Sequence, residues 1–144
     1  MNSTLLIRPF TDSDRAALEA LWSRVFPDDP PRNAPAAMID NKLKVQPELL
    51  LVGTLGEALV GAVIAGYDGV RGWLYHLAVA PEQRRRGLAT QLVRAAEVAL
   101  LKLGCTKVNL QVRATNVVVL GFYEALGYAV EERVSMGRHL DTNG

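Results

Sequence analysis

The sequence holds one cysteine, Cys105. A single thiol forms no disulfide within the chain, which suits a reducing compartment and predicts a cytoplasmic protein. Cys105 stands between KLG and TKV, at an expected helix-to-strand turn with no activating base close in sequence. It reads as a packed thiol rather than a nucleophile. Long apolar runs are missing too. None approaches the ~20 residues a membrane span needs, and MNSTLLIRPF has neither the basic start nor the apolar stretch of a signal peptide. Internal repeats and low-complexity segments are absent. The formal net charge is only +1. Proteins that hold nucleic acid by its backbone carry more positive excess, so any anion site here must be local.

What is present is an ordinary globular composition, 49% apolar and 22% charged over 144 residues. That length fits one domain over residues 1–144, with enough chain for one real core. TLLIRPF reads as a strand stopped by Pro9. TDSDRAALEALWSRVF reads as a helix capped by Thr11 or Ser13, burying Leu18, Leu21, Trp22 and Val25. The proline-rich PDDPPRNAP ends it, and a shorter helix is expected in AAMIDNKLKVQ. ELLLVGTL and ALVGAVIAGYD form a hairpin, and GWLYHLAVA is a third apolar strand. From Gly87 the period becomes helical, with Leu88, Leu92, Ala95, Ala96, Ala99 and Leu103 on one face and Gly104 as the stop. KVNLQV alternates as a strand, NVVVLGFYEAL is a short helix, and YAVEERVSMGRHL supplies one or two closing strands. The order describes a mixed α/β domain around one sheet.

QRRRGLA, Gln83 to Ala89, joins the third strand to the long helix. The first N–H groups of a helix have no partners inside it and carry partial positive charge. Gly87 lets a ligand approach the backbone closely, and Arg84, Arg85 and Arg86 add charge at the rim. The expected guest is a phosphate or pyrophosphate. Neither a G-x-x-x-x-G-K-[ST] loop nor a G-x-G-x-x-G turn after the first strand occurs, so the two commonest phosphate loops are excluded.

LAVAPEQRRRGLATQLV resembles the acyl-CoA-binding motif of the GNAT superfamily of N-acetyltransferases, Q/R-x-x-G-x-G/A, met here by Arg84, Gly87 and Ala89. IRPFTDSDRAALEALW is similar to that family's first strand and helix, and VRATNVVVLGFYEALGY to its later strand and helix. The resemblance covers nearly the whole chain and is greatest to small bacterial members, the ribosomal-protein alanine N-acetyltransferases among them. It implies a single-domain GNAT fold: a mixed central sheet with a splayed parallel strand pair and flanking helices. It implies acetyl-CoA as co-substrate, with no metal. The diphosphate would rest on the amides of Arg84, Arg85, Arg86, Gly87, Leu88 and Ala89. The pantetheine arm would lie along Leu77, Ala78 and Val79, with Asn116 and Tyr123 as further contacts.

Acetyl transfer to an amine requires a neutral nucleophile, a donor to the oxyanion and a proton for the leaving thiolate. Tyr123 is the candidate acid, being protonated at neutral pH. It lies about two helical turns from Asn116, on the same face. Read without the family, the two are a core aromatic and a helix cap. The base is open. The alanine acetyltransferases have glutamate in the place of Gln111, and glutamine accepts no proton. His76, a buried water chain, or an acceptor already partly neutral remain as alternatives, and His76 serves equally as a structural residue. His139 is expected to be peripheral. Trp22, Phe26, Tyr75 and Arg138 are candidate walls for the acceptor.

The leading expectation is an acetyl-CoA-dependent N-acetyltransferase acting on a primary amine of a small molecule or a protein. A non-catalytic acyl-CoA sensor or scaffold of the same fold is the alternative, and a nucleic-acid-binding role is disfavoured, as is a membrane one. The closing strands have edges through which two chains could pair as a homodimer.

Overall fold

The computed structural model describes residues 4–140. They fall into two compact units, one ending at Gln111 and one beginning at Val112. The first holds β1 (Leu5–Pro9), α1 (Arg15–Val25), α2 (Pro35–Lys42), β2 (Leu50–Leu55), β3 (Ala58–Tyr67), β4 (Gly72–Val79), α3 (Leu88–Lys102) and β5 (Val108–Asn109). The second holds α4 (Val117–Ala125).

The sheet runs in the order β1-β2-β3-β4-β5. Its first four strands are antiparallel neighbours, and β5 joins parallel to β4. This is the expected α/β architecture with a mixed sheet. The parallel pair is joined at two rungs, Gly72 to Val108 and Trp73 to Asn109. Beyond them β4 runs on to Val79, so its pairing with β5 stops well before its pairing with β3 does.

Helices cover both faces of the sheet. A Cβ at Gly61 of β3 would meet Leu92 of α3, whereas one at Gly66, of opposite parity, would approach Lys42 of α2. Under α3 lie Leu88, Leu92, Val93, Ala96 and Leu100, all buried. On the other side Leu18, Leu21 and Trp22 of α1 and Ile39 of α2 close the core. The α3 stripe is rotated from the expected one. Val93 and Leu100 are buried, and Leu103 is exposed. The alanines at 95 and 99 are only partly buried, at the margin of the stripe.

Two expectations about strands are corrected. Of KVNLQV only Val108–Asn109 pairs. The closing strands in 128–140 do not form: that segment has no strand, and Val130, Val134, Met136 and Leu140 are exposed. Alternation of apolar and polar residues is present there, but alternation becomes a strand only where a partner ladder accepts its backbone. The second helix also stops early, at Lys42 rather than near Gln46, which adopts a left-handed φ of 54° before Pro47. No helix among the described residues is long and apolar enough to cross a membrane.

The entry to α1 is fixed by one buried carboxylate. Asp14 receives two hydrogen bonds from Arg8 of β1, at 2.7 and 2.8 Å, and two from Thr11, from its N–H at 2.8 Å and its hydroxyl at 3.1 Å. Thr11 caps the single tight turn Asp12–Asp14 that leads into α1, with Asp14 closing the box behind it, while the N-cap of α1 itself is Asp14 rather than the expected Thr11 or Ser13. The Arg8 hydrogen bond holds the Asp14 carboxyl at about 2, below 3.8, against a burial that would raise it. A depressed carboxyl stabilises the fold above its unfolded value and loses that contribution as pH falls through the folded one. Arg8 is partly open to solvent, which screens the pair. Asp14→Asn should therefore cost about 1–2 kcal/mol at neutral pH. Urea titrations of both proteins should show that gap closing between about pH 4 and pH 2. A gap that persists at the acid end would mean the loss comes from packing and not from the charge.

Candidate functional site

Strand β4 carries an irregularity that shapes everything after it. Tyr75 pairs with Ile64 and Ala78 with Ala62, so Val63 alone faces both His76 and Leu77. This is a β-bulge, which flips the parity of the strand. Trp73 and Tyr75 share the α2-side face with Gly66 and Ile64. After the bulge Val79 faces α3 beside Gly61. His76 is the extra residue, with a left-handed φ of 51°. A non-glycine residue rarely holds that conformation inside a strand.

The bulge turns His76 toward α1. Its ring lies 5.5 Å from the Trp22 ring, edge to face at 82°, and 4.6 Å from Phe26. Nε2 is 2.9 Å from Oδ2 of Asp29, in the proline-rich segment that follows α1. The two side chains are 16% and 22% exposed, so the pair is sheltered but reachable. Trp22 is 1% exposed and forms core rather than an open wall. Its indole nitrogen has no acceptor among the described residues. Tyr75, half exposed and stacked on Trp73, is the open aromatic surface of this face. Burial, then the charge of Asp68, raises its phenol.

From Val79 the chain enters a single turn of tight helix, Pro81–Gln83, then Arg84 in extended conformation. Arg85 follows at φ 67° and Gly87 at φ 75°. Left-handed residues placed alternately with ordinary ones point successive N–H groups into one concavity, a geometry that holds anions. Gly87 is the N-cap of α3, and no side chain caps that helix. Its first-turn N–H groups therefore have no protein partner within the helix and none from a cap. A Cβ at Gly87 would meet nothing within 4 Å, so the backbone angle and not crowding calls for glycine here. Arg84, Arg85 and Arg86 are all exposed. Arg86 bonds to Gln83 at 3.1 Å. The turn before the loop is tied to α1 by Arg24, which forks onto Glu82 at 2.8 and 3.3 Å.

The second unit orders its own two candidates. Asn116 is the N-cap of α4 and accepts from the Val119 N–H at 3.2 Å. Tyr123 is buried against Phe122 and Tyr128 in edge-on contacts. Burial pushes its phenol up to about 12. Both residues thus have the structural duties that their sequence also allowed. Arg138 and His139 are exposed.

Sequence reasoning missed Asp29. It lies 47 residues from His76, and no spacing rule links a loop acid to a strand histidine that far away. Cys105 is buried as expected, with its sulfur 3.3 Å from the Lys107 carbonyl oxygen. No group of three or more His, Cys, Asp or Glu able to hold a metal occurs among the described residues.

Residues 15–128 match the Acetyltransferase (GNAT) family. An acetyltransferase of Yersinia enterocolitica is 40% identical over 93% of this chain and 94% of its own. An uncharacterized N-acetyltransferase of Yersinia pestis is 42% identical over the same shares. Among solved structures, the fold is similar to the aminoglycoside N-acetyltransferase AAC(6')-Iy bound to a bisubstrate CoA analogue. The TM-score is 0.80 at 22% identity, over 96% of this chain and 100% of that one. It is also similar to an N-acetyltransferase of Thermoplasma acidophilum in complex with coenzyme A, with a TM-score of 0.78 at 19% identity, over 91% and 93%. With a family match across most of its length and relatives at this identity, the chain belongs to the GNAT family of acetyltransferases.

Proposed function

We propose that this protein is an acetyl-CoA-dependent N-acetyltransferase that acts on a primary amine by direct attack. The observation that carries the reading is the uncapped α3 N-terminus, entered from β4 through left-handed Arg85 and Gly87. Uncapped N–H groups at a helix start attract a diphosphate. The structural neighbours solved with coenzyme A or its analogue support that ligand. On this reading the amides from Arg84 to Ala89 hold the diphosphate. The backbone of Leu77, Ala78 and Val79 holds the pantetheine arm where β4 runs on past its last rung with β5. Asn116 adds a contact through its amide nitrogen, its oxygen being committed to the cap.

The chemistry follows from three groups. His76 takes one proton from the acceptor ammonium, and the freed nitrogen lone pair attacks the thioester carbonyl carbon. The C–S bond breaks as the amide forms, the nitrogen's second proton passes to the thiolate to give the free thiol, and the proton taken by His76 is the one released overall. Gln111 accepts no proton, and the sheltered His76 ring, next in sequence to the run proposed to hold the pantetheine arm, is the base on this reading. Tyr123 supports the departing sulfur. A phenol at about 12 is fully protonated at neutral pH. It is also a weaker acid than a thiol near 8.5 by roughly three units. Tyr123 therefore acts chiefly by donating a hydrogen bond to the developing charge. The single buried cysteine is consistent with action in the cytoplasm.

Acceptors are to be found by a screen of peptide, lysine, polyamine and small-amine compounds with acetyl-CoA, reading released thiol. Gly87→Glu puts a side chain at φ 75° and a negative charge in the cradle. Calorimetry should show acetyl-CoA affinity falling by about 100-fold or more, with the circular dichroism spectrum unchanged. Undiminished affinity would remove the phosphate-loop assignment. Tyr123→Phe should lower kcat by about 10- to 100-fold and leave the KM for acetyl-CoA nearly constant. If turnover is untouched, Tyr123 is only a packing residue.

A further inference from the structure

We propose that Asp29 is the positioning residue for His76: its carboxylate accepts the Nε2 proton, fixing the ring and leaving Nδ1 as the basic atom. This rests on His76 acting as the proton acceptor. A neutral imidazole carries one donor and one acceptor, whereas an ionised carboxylate only accepts. The 2.9 Å contact between Nε2 and Oδ2 of Asp29 therefore requires hydrogen on Nε2. No other hydrogen bond engages the ring among the described residues. The lone pair on Nδ1 is the remaining basic site.

The ring is held from three directions. Trp22 stands edge-on to it, Phe26 packs at 52° to its plane, and Asp29 ties its far edge. Phe26 and Asp29 come from the chain that leaves α1, and His76 from the bulge in β4, so the site is assembled from two elements. A clasp between a loop and a strand would be satisfied by many residue pairs in regular conformation. This one includes a non-glycine residue at φ 51°. Backbone strain of that kind persists where surrounding contacts over-determine it, and it concentrates at functional sites. The bulge also places His76 immediately before Leu77, where the run proposed to hold the pantetheine arm begins. When Nδ1 takes a proton the ring becomes a cation, and the Asp29 carboxylate is already in contact to stabilise it.

The test combines a spectroscopic signature with kinetics. Imidazole nitrogen spectra of uniformly 15N-labelled protein, in a His139→Gln background that leaves one histidine, should show His76 with its neutral proton on Nε2. Asp29→Asn can present either an oxygen or an NH2 group, so the tautomer preference should be lost. Turnover of a primary amine acceptor should fall about tenfold or more in kcat, with acetyl-CoA affinity unchanged. Asp29→Asn combined with His76→Ala should be no slower than His76→Ala alone, because a positioning residue acts only through the ring it positions. A wild-type ring with its proton on Nδ1 would overturn the proposal, and this measurement needs no variant to fold. If His76→Ala lowers turnover while Asp29→Asn changes neither tautomer nor kcat, Asp29 alone is wrongly assigned. If His76→Ala leaves turnover and its pH profile unmoved, the base reading fails and the role of Asp29 goes with it.

Discussion

The one-residue bulge in β4 is the constraint on which the rest of the first unit depends. A regular strand from Gly72 to Val79 would alternate without interruption, and His76 would fall on the α3 face among Leu74 and Leu92. Val63 instead faces two residues, and the parity changes. His76 then looks toward Trp22 and Phe26, while Val79 returns to the α3 core. The strand thus buries one face at Gly72 and Leu74 before the bulge and both faces at Ala78 and Val79 after it, and keeps an imidazole at the point of change. The same strand leads through two left-handed residues to a helix that no side chain among the described residues caps at its start. The proposed base, the backbone edge and the proposed anion cradle are consecutive along fifteen or so residues that start at this bulge.

Much of this was legible beforehand, for identifiable reasons. The β2–β3 hairpin follows from two β-rich runs around Gly56 and Glu57. The long helix and its start at Gly87 follow from a change of period beside a basic loop. These are local signals, and local signals survive folding. What failed depended on partners. The residues 128–140 alternate like a strand, yet no strand forms there. KVNLQV alternates as well, and only Val108–Asn109 finds a ladder. The buried stripe of α3 is turned from the expected one by the burial of Val93 and Leu100 and the exposure of Leu103, which depends on what the sheet presents to the helix.

The site divides in the same way. Gly87 could be placed from sequence because its conformation is written in its residue type. Tyr123 could be placed on a short helix and Asn116 at its start because helix signals are short-ranged. The partner of His76 could not, since Asp29 is reached only through the tertiary fold. Nor could the positive φ of His76 be foreseen, for a histidine gives no warning of it.

The segment that carries Asp29 also holds Pro27, Pro30, Pro31 and Pro35. Each proline narrows the conformations of the unfolded chain, so ordering this stretch costs less entropy than ordering a flexible loop of equal length. Stiffness and variability are then compatible. Residues between the prolines, such as Asp28, Arg32 and Asn33, can change without loosening the carboxylate that meets the imidazole. A lineage could in this way rewrite a rigid strap, while the proposed proton-moving pair of His76 and Asp29 stays where it is.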